Sequence, residues 1–284
     1  MNLSASYAWC AALTRKTAGN FIYSFQVLPR IQRQAMNALY AFMRITDDLS
    51  DDVGEVTGKR LALSLWKEQL RAALHGEYSH PVHPALHQTV TRFRIPAAYL
   101  EEVIEGVQKD LDPVRIRTFA ELYRYCYQVA SVVGLSCIHI WDFREERAKE
   151  YAEEAGIALQ LTNILRDLGE DLDRGRVYLP EEDWKRFDCP PEQWRQQVES
   201  DSFRELMRFQ AMRAKDYYDR GSRLSPLLEP PGRAVFRVML DIYRGLLDAI
   251  ETRQFDVFRE RVRLTQWKKL SLLVAAFPIR WGWI

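Results

Sequence analysis

Residues 156–180 read GIALQLTNILRDLGEDLDRGRVYLP. If this segment is helical, one face carries four polar side chains, because residues three and four apart share a helix face: Gln160, Asn163, Asp167 and Asp171. Like charges one turn apart destabilise an isolated helix, and unpaired buried acids are costly. Two interpretations are open, a solvated acidic face and the wall of a site that holds positive charge.

Positive charge follows these acids directly. Arg174 and Arg176 come just after the expected end of the helix. A phosphate group held next to a divalent metal needs arginines and carboxylates side by side. The arginines therefore favour the site over the solvated face.

A second acidic cluster closes the segment MNALYAFMRITDDLSDD, residues 36–52. Asp47 and Asp51 are one helical turn apart, as are Asp48 and Asp52, and Arg44 precedes Asp48 by one turn. Acids at the C-terminal end of a helix oppose the helix macrodipole. Two such acidic segments in one chain predict two walls of a single metal site.

Composition restricts the class of protein. The chain has 284 residues, 47% of them hydrophobic, and a net charge of +1, so no overall positive field favours nucleic acid. The four cysteines have no metal-like spacing, and no secretion signal or bilayer-spanning segment is visible, which predicts a cytoplasmic protein. Apolar residues at three-and-four spacing, with almost no alternating runs, predict a single all-α domain of about ten helices over residues 1–284.

Local sequence signals mark several helix starts, and two further segments each allow two structural interpretations. Capping-box spacing predicts N-caps at Thr118, Asp142 and Ser202. Ala130 and Gly134, one turn apart, indicate either close helix packing or room for a long apolar ligand. The C-terminal segment KKLSLLVAAFPIRWGWI, residues 268–284, fits either a helix docked on the core or a segment lying on a membrane surface.

Two acidic clusters with arginines nearby fit a diphosphate bridged by Mg²⁺ ions, since Mg²⁺ takes one or two carboxylates and completes its shell with water and phosphate. The apolar residues around them predict a cavity with a polar mouth, and hence a hydrophobic diphosphate. Mg²⁺ would withdraw charge from the leaving diphosphate, and aromatic faces would stabilise the resulting carbocation.

The chain resembles the squalene/phytoene synthase family of head-to-head prenyl synthases. The resemblance runs through five blocks: NFIYSFQVLP, YAFMRITDDLSDD, YRYCYQVASVVG, QLTNILRDLGEDLDRGRVYLP and YRGLLDAIETRQFDVFRERV. It implies the isoprenoid synthase fold, a helical bundle with a central apolar cavity. One departure is that Thr17, Gly19 and Asn20 stand where family members often carry serines.

The resemblance also implies site roles. The Mg²⁺ and diphosphate ligands would be Asp47, Asp51, Asn163, Asp167 and Asp171, with Asp48 and Asp52 beside them. Diphosphate binding or ordering of the acids would fall to Arg44, Gln160, Arg174 and Arg176. Tyr40 and Tyr125 match tyrosines that face the reacting carbons, and Tyr243 and Arg261 lie in the C-terminal block.

The resemblance leaves the substrate open. The chain resembles the bacterial members of the family, which favours farnesyl or presqualene diphosphate on the squalene (hopanoid) route. The alternative is a phytoene synthase using geranylgeranyl diphosphate. A non-catalytic assembly protein on the same fold is a remote third reading, because both acidic clusters are intact. If the reaction includes a reduction, NADPH would be needed, yet no glycine-rich strand-to-helix turn marks a site for it.

Overall fold

The computed structural model describes residues 1–17, 24–51 and 54–282. Over these residues the chain forms helices and two isolated β-bridges but no strand, which confirms the all-α class. The α-helices in chain order are α1 (Leu3–Thr17), α2 (Arg30–Asp51), α3 (Val56–Leu74), α4 (His83–Phe93), α5 (Ala97–Lys109), α6 (Phe119–Cys126), α7 (Val132–Trp141), α8 (Ala148–Asp173), α9 (Glu181–Arg186), α10 (Asp201–Gly221), α11 (Pro230–Thr252) and α12 (Gln266–Arg280). A π-helical turn, Tyr127–Ser131, joins α6 to α7.

Helix α8 lies at the centre of the bundle and packs against α7, α10, α11 and the π turn. Two glycines allow this close approach. A Cβ on Gly156 would lie 2.5 Å from the Ser131 Cα, and one on Gly221 would lie 2.7 Å from the Ala155 Cα. Since real atoms cannot approach that closely, only glycine lets these backbones meet. The tight packing holds the acidic C-terminal end of α8 in place.

The N-cap predictions had mixed outcomes. Thr118 caps α6, and its hydroxyl accepts from the Glu121 N–H at 3.3 Å. The prediction for Asp142 was wrong: this residue ends α7 at a φ of 69°, and α8 begins only at Ala148. The prediction for Ser202 was also wrong, because Ser200 caps α10, and its hydroxyl accepts from the Phe203 N–H at 3.2 Å.

Two loops are joined side by side at the acidic end of the bundle. The Val177 N–H donates to the Val114 carbonyl at 2.9 Å, and the Glu181 N–H donates to the Ile116 carbonyl at 2.9 Å. These bonds tie the segment after α8 to the segment after α5. The end of α5 is thereby brought beside the end of α8.

All four cysteines are buried free thiols. Among the described helices, none combines the length and the hydropathy needed to cross a membrane.

Candidate active site

The C-terminal ends of α2 and α8 face one another across the mouth of the bundle. Asp47 and Asp51 lie in the last turns of α2, and Asp171 lies in the last turn of α8. Arg174, directly after α8, places its Nη1 3.8 Å from the Asp51 Oδ1. The structure therefore brings together the two acidic segments that the sequence paired as walls of one site.

Two arginines hold Asp167. Arg166 donates to both carboxylate oxygens, at 2.8 and 2.5 Å. Arg261, from the segment before α12, approaches the same two oxygens at 3.0 and 3.1 Å and lies 3.6 Å from the Glu170 Oε2. Sequence reasoning assigned Arg261 to the site but missed Arg166, whose only signal was its place beside Asp167 in the acidic block.

Asp47 and Asp171 have raised pKa values. For Asp171, burial is the main cause and the nearby Asp167 carboxylate adds to it, so that the pKa reaches about 7. The pKa of Asp47 also rises to about 7, because surrounding protein displaces water from this carboxylate and the Asp51 and Asp48 carboxylates repel its charge. Arg44 has the opposite effect and lowers the pKa. Asp47 remains accessible to water but lies inside the concave mouth, where protein displaces much of the bulk solvent. Both acids would be stabilised by a cation.

Asp110, just after α5, completes the acidic mouth. Tyr125 donates to its Oδ2 at 3.0 Å and Tyr178 to its Oδ1 at 2.8 Å. The two tyrosine rings stack with centroids 4.8 Å apart, and Arg176 donates to the Asp110 carbonyl at 2.9 Å. Burial raises the pKa of Asp110, and the same effect raises that of Tyr125. Tyr178 was missed altogether, although it belongs to the GRVYLP end of the central segment.

A cavity of about 420 Å³ opens at this acidic mouth. Its wall includes Tyr40, Asp47, Asp110 and Tyr125, and otherwise mainly apolar side chains of α2, α5, α7 and α11. A second cavity of about 200 Å³ shares six wall residues with it and continues inward: Val129, Val133, Cys137, Gln160, Met239 and Tyr243. The two cavities are therefore adjacent, and together they outline an elongated, mainly apolar space.

Large side chains line the inner end of this space. Trp141, Leu224 and Phe236 line only the inner cavity, as does Ala152 near the start of α8. Ala152 precedes Asp167 by fifteen residues, which places the inner end about 22 Å along the helix from the acids. Ala130 and Gly134 also line the inner cavity, so they leave room for a ligand. Gly134 also contacts α8, where an added Cβ would make an ordinary contact 3.4 Å from the Ala152 carbonyl oxygen.

Three polar residues lie where the apolar space meets the acids. Gln160 and Tyr243 line both cavities, and Asn163 lines the inner one. Asn163 donates to the Gln160 Oε1 at 3.2 Å, whereas its own amide oxygen is buried and accepts no hydrogen bond from the described residues. Tyr243 is buried and interacts with Arg166 and Asn163. The unsatisfied oxygen of Asn163 is an open position for a donor or a cation.

Of the remaining predicted residues, Arg44 and Asp48 are described and partly exposed. Arg44 pairs with Asp48 one turn along α2, and Asp48 does not line the cavity. Hydrogen bonding to Asp48 raises the pKa of Arg44. Asp52 lies outside the described residues, as do Gly19 and Asn20.

The described residues contain no group of three or more His, Cys, Asp or Glu side chains already arranged to hold a metal ion. The donor chemistry nevertheless fits Mg²⁺, which prefers oxygen ligands and takes only one or two carboxylates per ion. Carboxylates with raised pKa values and an unsatisfied amide oxygen are such ligands. The mouth therefore offers ligands that suit Mg²⁺.

Comparisons with known proteins point to one family. The family model described as squalene/phytoene synthase matches residues 14–268. The 15-cis-phytoene synthase of Synechococcus elongatus is 34% identical over 97% of this chain and 93% of its own length. The phytoene synthase of Arthrospira platensis is 36% identical over 96% of this chain and 93% of its own length.

This chain is also similar to a solved structure. A dehydrosqualene synthase in complex with ligand superposes with a TM-score of 0.88 at 29% identity, covering 96% of each chain. Together with the facing acidic helix ends and the apolar cavity behind them, these matches identify the chain as a member of the squalene/phytoene synthase family.

Proposed function

We propose that this protein joins two prenyl diphosphates head to head through a cyclopropylcarbinyl diphosphate, and that residues 1–284 act as one catalytic domain. The observation that carries the proposal is the pair of acidic helix ends at the mouth of an apolar cavity whose inner end lies about 22 Å along α8 from Asp167. The polar mouth suits a diphosphate, and the cavity suits its hydrocarbon chain.

The mouth residues would take the charged half of the substrate. Asp47, Asp51, Asn163, Asp167 and Asp171 would hold Mg²⁺, which when bound supplies Lewis-acid stabilisation of the leaving diphosphate.

The arginines around these acids, Arg44, Arg166, Arg174, Arg176 and Arg261, would contact phosphate oxygens. Arginine does this well, because its planar fork of donors matches phosphate. Arg166 and Arg261 would exchange part of their contact with Asp167 for phosphate when substrate arrives.

The cavity wall would protect the reacting carbons. Apolar side chains exclude water, which would otherwise quench an allylic cation. Tyr40 and Tyr125 line the same cavity as Asp47 and Asp110, where their rings would stabilise the cation. Tyr125 is held in place by its bond to Asp110 and by stacking on Tyr178.

Geranylgeranyl diphosphate, with phytoene as product, is the substrate we propose first. It is favoured by the names of the two curated relatives, both of which align over almost the whole chain. The squalene route, which the sequence favoured, is the second candidate, and the similarity to a dehydrosqualene synthase supports it. NADPH would be needed only if the product were reduced to squalene.

The test is a product assay with purified protein and Mg²⁺. Farnesyl, geranylgeranyl and presqualene diphosphate are offered separately, each with and without NADPH. A C40 hydrocarbon from geranylgeranyl diphosphate would support phytoene synthesis. A C30 product from farnesyl or presqualene diphosphate would move the protein to the squalene route, and its identity would assign the step. A folded protein that turns over none of them would favour the non-catalytic reading.

A further inference from the structure

Helix α12 presents a continuous apolar stripe to solvent. The stripe consists of five large exposed residues that recur at intervals of three and four, the last of them directly after the helix: Trp267, Leu270, Val274, Phe277 and Trp281. Trp267 is 81% exposed and Trp281 62% exposed, so the two ends of the stripe are its most accessible bulky groups. Residues at this spacing share one helix face. A single exposed apolar residue is ordinary, but five on one face indicate an interaction surface.

The helix lies on the outside of the bundle, and most of its residues are at least partly exposed. All fifteen of its residues are described, and Ala276 alone is buried. It packs mainly against α11. A cavity of about 200 Å³ lies between the two helices, lined by Val238 and Ile242 on α11 and by Leu270 and Leu273 on α12. The apolar residues of α12 are thus only partly used in packing the protein core.

The charge of this segment has one sign. No acidic residue follows Glu260, whereas four basic residues follow Arg261: Arg263, Lys268, Lys269 and Arg280. Lys268 and Arg263 are exposed, and the Arg280 guanidinium lies 5.1 Å from the Trp281 ring centre. The rest of the chain must carry the compensating negative charge, because the net charge of the whole is only +1.

We infer that the stripe of α12 is a docking surface for an anionic lipid bilayer, with the helix lying in the plane of the interface. Tryptophan is favoured at the boundary between headgroups and acyl chains, and both ends of the stripe carry it. Basic residues beside an apolar helix face add attraction to anionic lipid. A second copy of the chain fits this surface less well, since two such helices would bring like charges together.

The test uses the full chain and co-sedimentation with vesicles. One vesicle preparation is equimolar phosphatidylcholine and phosphatidylglycerol, and the other is phosphatidylcholine alone. The stripe variant is Trp267→Ser with Trp281→Ser. Its matched control, Leu61→Ser with Met212→Ser, removes two apolar residues that are each 62% exposed elsewhere on the surface. A charge variant, Lys268→Glu, is matched by Lys16→Glu, another exposed lysine.

We expect the wild type and the matched controls to bind the anionic vesicles. The stripe variant should lose about tenfold or more in partition, because binding scales with the apolar area inserted. Lys268→Glu, the use of neutral vesicles and added salt should each weaken binding, since the electrostatic part is screened. Equal sedimentation of the stripe variant and the wild type, or no binding by the wild type, would overturn the inference. A wild-type dimer in light scattering that the stripe variant lacks would also overturn it and assign the surface to a second copy.

Discussion

Replacing Asp171 with asparagine should make the protein more stable at pH 8 while it removes activity. Burial and the neighbouring Asp167 raise the pKa of Asp171 from 3.8 to about 7. The native state therefore binds this proton more tightly than the unfolded state does, and the stability that protonation provides is lost as pH rises. Asparagine has nearly the same shape and no charge to desolvate.

The magnitude follows from that shift. Each pKa unit corresponds to about 1.4 kcal/mol, so the rise to about 7 sets a ceiling of about 4 kcal/mol above pH 7. Partial exposure and screening in the mouth reduce the expected gain to about 1–3 kcal/mol. The difference between variant and wild type should be close to zero near pH 4, grow through pH 7 and stay constant above it.

Urea unfolding followed by circular dichroism, at intervals from pH 4 to pH 8, measures this difference. Asp173→Asn is the matched control, because Asp173 lies on the same helix but is 72% exposed and pairs with Arg195. The electrostatic reasoning would be refuted if Asp171→Asn were less stable than the wild type at pH 8. It would also be refuted if the difference in free energy of unfolding did not change with pH. Mg²⁺ should raise the melting temperature of the wild type more than that of Asp171→Asn, and an equal rise would remove Asp171 from the metal ligands.

Three further substitutions test the site and its scaffold. Asp167→Asn, or equally Asp47→Asn, should abolish turnover and leave the far-ultraviolet spectrum unchanged, and full activity would contradict the metal role. Phe236→Leu, at the inner end of the cavity, should favour geranylgeranyl over farnesyl diphosphate by up to about tenfold in kcat/KM, and an unchanged ratio would show that the inner end does not limit chain length. Gly156→Ala should lower the free energy of unfolding by about 1–3 kcal/mol, because the new Cβ meets the Ser131 backbone. Gly58→Ala, in open space on α3, should instead be neutral or stabilising, and equal losses in the two variants would reject the steric account.

The fold class and the two acidic walls were predictable because their signals are local. Helical periodicity and charge spacing can be read from neighbouring residues, and Asp167 and Asp171 share a face of any helix that contains them. That the two acidic ends face each other was an inference from chemistry, since isolated acids at helix ends need cationic partners.

Residues that depend on the path of a loop were not predictable. Asp110 reaches the mouth only because backbone hydrogen bonds tie the segment after α5 to the segment after α8. Tyr178 belongs to the same pairing, and its contact with Asp110 joins residues 68 positions apart. The N-cap predictions at Asp142 and Ser202 were wrong for a similar reason. Capping-box spacing does not reveal where the chain leaves the preceding helix and where the next helix begins.

The π turn between α6 and α7 makes the cavity wall sensitive to chain length. Tyr125, Val129, Val133 and Cys137 are spaced four apart, and all of them line the cavity. In a regular α-helix, residues four apart drift by about 40° at each step, so such a row would wind out of the wall. The wider π turn offsets part of that drift. Deleting one residue within Tyr127–Ser131 would restore a regular helix but turn everything beyond it by about 100°. A substitution in this wall therefore changes one cavity-lining side chain at a time. An insertion or deletion in the π turn would rotate α7 and replace all of its cavity-lining residues together.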